Sequence, residues 1–444
     1  MTPEEDIRKP CAVREVQEIG AFALDLPVRW AMAQISARVL GCGRIGRRLG
    51  SDENRRLLHA FFSKKARPQR LSEGAQQNRF TGASDFIDFM TTELNTALVV
   101  GSTGITGLNL ATHLVSKGWQ VYGLARNPKE MPGVIPVAAD LQDAAALKAA
   151  LADINPTHVF ICTWLRQETE AENVRVNGYM VRNLFAALEG KPLVHTALVT
   201  GTKHYLGPFE AYGQTNAETP FREDNPRLPG LNFYYTQEDL LFDAAATGNF
   251  GWTVHRSHTM IGYARGNAMN MGVTLAVYAT LCKEQGQPFI YPGSHEQWNF
   301  LTDVTDARIL AKQLEWAATT PAAYGHAFNI SNGDLFRWRW LWPQLAAYFG
   351  VEPQGPPPRP APLEGRMQNA PEDWQAIAAK YHLAEPDVNK LVSWWHTDGD
   401  LGRNIECIND MTQSRLLGFH AYQPTLASFL ELFDRLKLER IIPG

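Results

Sequence analysis

The stretch from Asn95 to Arg126, NTALVVGSTGITGLNLATHLVSKGWQVYGLAR, leaves the chain few ways to fold. Ala97 to Val100 is a short apolar run of the kind that forms a buried strand. Gly101, Gly104 and Gly107 follow, then a helix, then a second strand ending at Leu124. In such a unit one glycine makes a tight turn, one lets backbone N–H groups approach a pyrophosphate, and one lets the helix lie close on the sheet. The helix N-terminus adds partial positive charge for the phosphates. Gly101, Thr103, Gly104, Ile105 and Gly107 are therefore candidate dinucleotide contacts.

The alternation continues downstream. Val134 to Ala138 is a third strand, Asp143 to Asp153 a helix, and Thr157 to Thr163 a continuous apolar strand. A helix over Glu168 to Leu188 precedes a fifth strand, Val194 to Thr202, and Trp252 to Arg256 reads as a sixth. Apolar strands alternating with helices imply an α/β fold, a Rossmann-type doubly wound parallel sheet covered on both faces. Ligands in such sheets gather at the carboxyl ends of the strands. That rule adds Arg126, Asp140, Leu141, Thr163, Trp164, Thr200 and Gly201 to the candidate cofactor contacts.

Cofactor choice is written at the end of the second strand. An NAD-preferring site usually carries an acid there for the ribose 2′-hydroxyl. This chain has Leu124-Ala125-Arg126-Asn127-Pro128 instead. Arg126 suits a 2′-phosphate through its guanidinium fork, which favours NADPH. Asp140 either accepts from the adenine amino group or caps its own loop.

Bulk properties narrow the class. The 444 residues are 45% hydrophobic and 20% charged, with a net charge of −4, giving no sign of nucleic acid or an anionic membrane as partner. Five scattered cysteines show no C-x-x-C spacing, so neither a disulfide framework nor a metal site is expected, and Cys162 reads as a small core residue. No apolar run has the length of a membrane span, and the expected compartment is the reduced cytoplasm.

The catalytic residues are unusual for this scaffold. Short-chain dehydrogenases place a lysine four residues after the catalytic tyrosine, on one helix face. None of the 13 tyrosines here has that lysine. The tyrosines heading the expected helix lie in Asn232-Phe-Tyr-Tyr-Thr-Gln-Glu-Asp239, where Asp239 stands in the lysine's place. A phenol needs a cation to tune or orient it near neutral pH. The nearest candidate is Lys203, in the turn after the fifth strand, Thr200-Gly-Thr-Lys-His-Tyr-Leu-Gly-Pro-Phe-Glu210.

At GTKHYLGPFE and NFYYTQED the chain resembles the progesterone 5β-reductase/iridoid synthase-like family of atypical short-chain reductases. The glycine loop, Thr163-Trp164 before a Glu-rich helix, and RVNGYMVRNLF agree, and the resemblance runs from Met90 to Gly444. It implies reduction of the C=C bond of α,β-unsaturated carbonyls with NADPH. Carried over by motif, the lysine is Lys203 and the catalytic tyrosine is Tyr235. An enolate-like oxygen develops in such a reaction, so a hydrogen-bond donor aimed at it lowers the barrier. One departure is VHRSHTMIG, which places His255, His258 and Met260 where related plant enzymes carry Pro-Gly; His258 reads as a packed loop histidine.

Past Gly266 the chain is rich in Met and Trp, as in Phe336 to Phe349 and Trp394-Trp395-His396. This part, 266–444, is expected to be a smaller, mainly helical cap that partly returns to the core, over an NADP-binding domain at 90–265. An apolar cap suits a small apolar enone, with Trp164, His204, Tyr205, Met271 and Trp395 as candidate substrate contacts. A homodimer is compatible with the scaffold. The alternatives are a carbonyl reductase or sugar-nucleotide epimerase, weakened by the missing Tyr-x-x-x-Lys and by the apolar cap, and an NADP-holding sensor, which would not need Lys203 and Tyr235 both present.

Residues 1–89 differ in texture, with 12 Arg and 3 Lys against 11 acids. Their Gly41-x-Gly43-x-x-Gly46 repeats the fingerprint spacing, but the charged stretch after it supplies no second strand. The expectation is a loosely ordered extension or a mis-assigned start, with Met90 opening the functional protein. A chain lacking residues 1–89 should fold and retain activity, and loss of either on truncation would refute this.

Overall fold

The computed structural model describes residues 95–208, 217–264 and 266–444. The N-terminal extension and its glycine repeat at Gly41 lie outside the described residues.

The sheet is built from β1 (Thr96–Val100), β2 (Gln120–Ala125), β3 (Val134–Ala138), β4 (His158–Ile161), β5 (His195–Gly201), β6 (Gly251–Ser257) and β7 (His326–Ile330). All neighbours pair in parallel, in the order β7-β6-β5-β4-β1-β2-β3. Strand order reverses between β1 and β4, so the crevice for a ligand opens beyond Val100 and Ile161. β7, from the C-terminal third, extends the sheet by one strand beyond the six read from sequence.

Both faces of β1 are fully buried, which explains its unbroken apolar run. Leu98 and Val100 face a cluster with Ile161, Leu184 and Leu241. Ala97 and Val99 face the opposite one, with Leu110, Phe160 and Leu310. The helices covering these faces include α1 (Ile105–Ser116), α2 (Ala144–Ala150), α3 (Glu170–Ala187), a single turn α4 (Lys203–Leu206), and α5 (Phe233–Gly248). Their starts are chemically marked. Asp143 caps α2 by accepting from Ala146 N–H, and Thr169 caps α3 by accepting from Glu172 N–H.

The C-terminal helices α6 (Met271–Gln285), α7 (Ala307–Ala318), α8 (Trp338–Phe349), α9 (Ala370–Tyr381), α10 (Trp394–Leu401) and α11 (Thr425–Leu438) follow. Met271 through Cys282 of α6 are all buried, as expected of a helix apolar on every side. Trp338 and Trp342 of the Trp-rich run, with Trp374, fill a core. Trp338, Trp342 and Trp374 are at most 2% exposed. Trp342 stacks on Phe289 with ring centroids 4.0 Å apart and donates Nε1–H to the Phe289 carbonyl at 2.8 Å. Trp374 donates to Glu385 O at 3.0 Å. Burying such large side chains with their N–H groups satisfied binds these helices into one layer.

Three histidines lie buried across adjacent strands of the sheet. His158 of β4 sits opposite His195 of β5. On β6, Thr253 Oγ1 lies 3.2 Å from His195 Nε2 and 2.9 Å from His255 Nε2, and His255 Nδ1 meets Gln313 Oε1 at 2.8 Å. Burial pulls the pKa of His158 and of His255 down to about 4 from 6.5. These imidazoles stay neutral in the fold at pH values where the unfolded chain protonates them. Their contribution is complete above pH 6.5 and is lost as the pH falls through about 4. Guanidinium melts between about pH 7 and pH 4 should therefore show falling stability, on the order of 3 kcal/mol for each of these two histidines by pH 4. A midpoint that does not move over this range would show the imidazoles to be solvated.

Candidate active site

The glycine turn has three separable jobs. Gly101 adopts φ 87°, and a Cβ there would lie 2.6 Å from Thr163 Cβ, at the crevice between β1 and β4. A Cβ on Gly107 would lie 2.2 Å from Gly101 O, so only glycine lets α1 sit this low on the turn. Gly104 caps α1 without a side chain, and the first turn holds no acid. The helix start is thus open to an anion.

A cleft of about 560 Å³ opens at this point, lined by Gly101, Thr103, Gly104, Ile105 and Arg126. Thr163 and Trp164 after β4, and Thr200 and Gly201 of β5, close its floor. Asp140 and Leu141 line an adjoining recess with Arg126 and Trp164. Asp140 Oδ1 accepts from Gln142 N–H at 2.9 Å, which is a loop-capping contact. Gly107 is not among the lining residues; it acts through packing. Cys162 packs half-buried against the core cluster of Val99 and Phe160 at the edge of the cleft, and burial pushes its thiol far up, leaving it unsuited as a nucleophile.

Lys203 enters the cleft from α4, with its side chain only 5% exposed. Its Nζ lies 4.9 Å from the Phe233 ring centroid, 5.7 Å from that of Trp164 and 3.8 Å from Glu170 Oε2. Asn232 ties this turn to α5. Its Oδ1 accepts from Tyr234 N–H at 3.0 Å, and its Nδ2 donates to Lys203 O at 2.9 Å. This double bond fixes where α5 begins and hence which way its side chains face.

The structure places Tyr235, expected at the site, away from the cleft lining and Tyr234 in it. Adjacent helix residues point about 100° apart, so only one of the tyrosine pair can face the cleft. Tyr235 turns inward, where its hydroxyl donates to His204 O at 2.8 Å and accepts from Leu228 N–H at 3.0 Å. Tyr234 lines the cleft with Lys203, and a Cβ on Gly201 would lie 3.5 Å from its hydroxyl. Burial and the Glu170 carboxylate hold the Tyr234 phenol well above its usual value, so it remains protonated and able to donate.

Four expected substrate contacts also fall elsewhere. His204 is buried with Nε2 3.1 Å from Asn225 O. Tyr205 donates to Asn329 Oδ1 at 2.6 Å and stacks on Phe221. Met271 is in the helical core. Trp395 lies under the Arg166 guanidinium, 3.8 Å from its ring centroid, and is not a lining residue of the cleft, whereas its neighbour His396 is. Trp164 does line it, stacked on Phe233 at 5.1 Å.

Sequence reading missed the wall opposite, which is mixed rather than apolar. Met260 and Met269 share it with His396, Asp400 and Arg403. Arg403 pairs with Asp400 and donates to His258 Nε2 at 2.6 Å, while His258 Nδ1 donates to Asp303 at 2.7 Å. Thr259 completes the network by donating to Asp400 at 3.1 Å. His258 is thus a packed histidine, as read. His255 lies within β6. No spacing in the sequence marks residues 396, 400 and 403 as a wall; only the shared face of α10 and its C-terminal turn does.

Replacing Tyr235 by Phe should leave kcat within a few fold while lowering stability by about 1–3 kcal/mol, because two buried partners lose their bond. Tyr234→Phe should instead lower kcat about 100-fold or more with little change in melting temperature. Turnover assays and thermal melts on the two variants distinguish the residues, and the opposite pattern would restore Tyr235.

Comparison with known proteins agrees with this scaffold. Residues 136–443 match the family model described as a PRISE-like Rossmann-fold domain. The chain is 38% identical over 365 residues to an (S)-8-oxocitronellyl enol synthase of Camptotheca acuminata, covering 78% of this chain and 93% of that one. It is 37% identical over 363 residues to a 3-oxo-Delta(4,5)-steroid 5-beta-reductase of Arabidopsis thaliana, with the same coverage. Among solved structures, MoeE5 in complex with UDP-glucuronic acid and NAD aligns with TM-score 0.55 at 19% identity, over 77% of this chain and 99% of that one. A UDP-glucose 4-epimerase from Bifidobacterium longum, in complex with NAD+ and UDP, aligns with TM-score 0.55 at 14% identity, over 78% and 99%. At such identities these structures share the fold alone.

Proposed function

Because this chain belongs to the PRISE-like Rossmann-fold family, we propose that it reduces the C=C bond of α,β-unsaturated carbonyl compounds with NADPH. The observation that carries the reading is that Lys203 and Tyr234, from separate elements, face one cleft with the open start of α1. The relatives named as steroid 5-beta-reductase and oxocitronellyl enol synthase support this reaction class.

The residues present fit the cofactor. The uncapped, acid-free start of α1 suits the pyrophosphate, and Arg126 suits a 2′-phosphate, with no acid at the end of β2 to favour a free ribose. NADPH supplies the hydride for the β-carbon. The protein's part is to hold the enone with its carbonyl oxygen toward the Tyr234 hydroxyl. As the C=C bond takes up hydride, negative charge grows on that oxygen, and the protonated phenol donates a hydrogen bond to the enolate. Lys203 adds positive potential beside it, in a site where burial strengthens the effect. The α-carbon then takes a proton to give the saturated carbonyl. The mixed wall of Met260, Met269, His396, Asp400 and Arg403 accommodates more polarity than the small apolar enone expected from sequence.

The epimerase alternative finds no support on α5. The position four residues after Tyr234 is Glu238, engaged with Arg227 at 2.9 Å, and not a lysine.

The test is NADPH oxidation with 2-cyclohexenone against the matched saturated ketone, with product identification. Consumption with the enone alone is expected, and reduction of the ketone but not the enone would overturn the proposal. In the same assay Arg126→Ala should raise KM for NADPH about tenfold or more, with little change for NADH. An unchanged ratio would remove Arg126 from cofactor selection.

A further inference from the structure

Three glutamates open the segment before and into α3: Glu168, Glu170 and Glu172. Glu168 is exposed, and Glu172 pairs with Arg175 on the surface at 2.8 Å. Glu170 turns inward, its side chain 11% exposed, and its two oxygens reach different parts of the site. Oε1 accepts from Phe233 N–H, the residue before Tyr234, at 2.8 Å. Oε2 lies 3.8 Å from Lys203 Nζ and accepts from Asn173 Nδ2 at 3.1 Å.

This carboxylate therefore faces Lys203 and bonds the backbone of the residue before Tyr234. Lys203 is almost completely buried between the rings of Phe233 and Trp164, which stabilise a cation only weakly compared with water. The hydrogen bond to Phe233 N–H meanwhile holds the first turn of α5, and so the Tyr234 ring, against the start of α3.

We propose that Glu170 is a positioning residue for the Lys203–Tyr234 pair, a buried carboxylate that anchors the first turn of α5 against the start of α3 and faces the Lys203 ammonium. The role rests on the enone-reductase reading for its catalytic consequence, but not for its electrostatic one. Burial holds the Tyr234 phenol up and the Glu170 carboxylate raises it further, so removing that charge lets the phenol ionise at lower pH. Among the described residues, the other charged or titratable groups lining the cleft are Arg126, Cys162, His396, Asp400 and Arg403, and the substitution leaves them in place.

Glu170→Gln is the informative variant, because an amide oxygen still accepts from Phe233 N–H. Its melting temperature and KM for NADPH should stay near those of the wild type. The alkaline limb of kcat for enone reduction should move about one pH unit toward neutrality. Glu170→Ala should show the same shift and also melt at lower temperature. An ultraviolet difference titration, corrected with Tyr234→Phe in each background, reads the phenol without turnover and should show it ionising at lower pH in Glu170→Gln. Superimposable pH profiles and phenol titrations would overturn the role. If the wild type reduces no enone, the functional reading fails, while the phenol titration still decides whether Glu170 governs Tyr234.

Discussion

The contact between Gly107 and the carbonyl of Gly101 sets the geometry of the whole site. With a Cβ 2.2 Å from that oxygen, any other residue would lift α1 off the turn. Seated as it is, α1 presents an open, acid-free N-terminus at the crevice where strand order reverses. Gly101 makes the complementary approach to Thr163, so the ends of β1 and β4 meet at the cleft floor. The site depends on two places where backbone must come closer to its neighbours than a side chain permits.

The side of the cleft that holds Lys203 and Tyr234 is assembled differently, from loops and helix starts held by polar side chains. Asn232 bonds both to the first turn of α5 and to the Lys203 carbonyl, and Glu170 bonds to Phe233 N–H while facing the Lys203 ammonium. These links join α3, α4 and α5 at one point. They also replace the usual arrangement in which tyrosine and lysine share a helix. With the lysine on a separate turn, the helix position it would occupy is free for Glu238, which binds Arg227 instead.

The C-terminal third shows how composition misleads about function. Tryptophans and methionines suggest an apolar lid, but Trp338, Trp342 and Trp374 bury their rings and satisfy a structural layer. The wall that faces the cleft contains a buried Arg403–Asp400 pair and His396. Large aromatic side chains gain more from complete burial than from lining a wet cleft. Buried charges, conversely, persist where a network such as His258, Asp303 and Thr259 satisfies them.

The sequence by itself determined the parallel sheet from β1 to β6, the glycine turn, the lack of an acid after β2, and the separation of Lys203 from any Tyr-x-x-x-Lys motif. These are local or periodic properties: strand burial on both faces, glycine spacing and residue order survive reading in one dimension. Tertiary structure decided that Tyr234 rather than Tyr235 faces the cleft, because helix phase is fixed by Asn232 and Glu170 from outside the helix. It likewise placed His204, Tyr205 and Met271 in the interior, brought β7 to the sheet edge and carried His396, Asp400 and Arg403 across to the cleft. A rotation of 100° between neighbours on a helix is known from geometry alone, but its absolute orientation is set only by what the helix packs against.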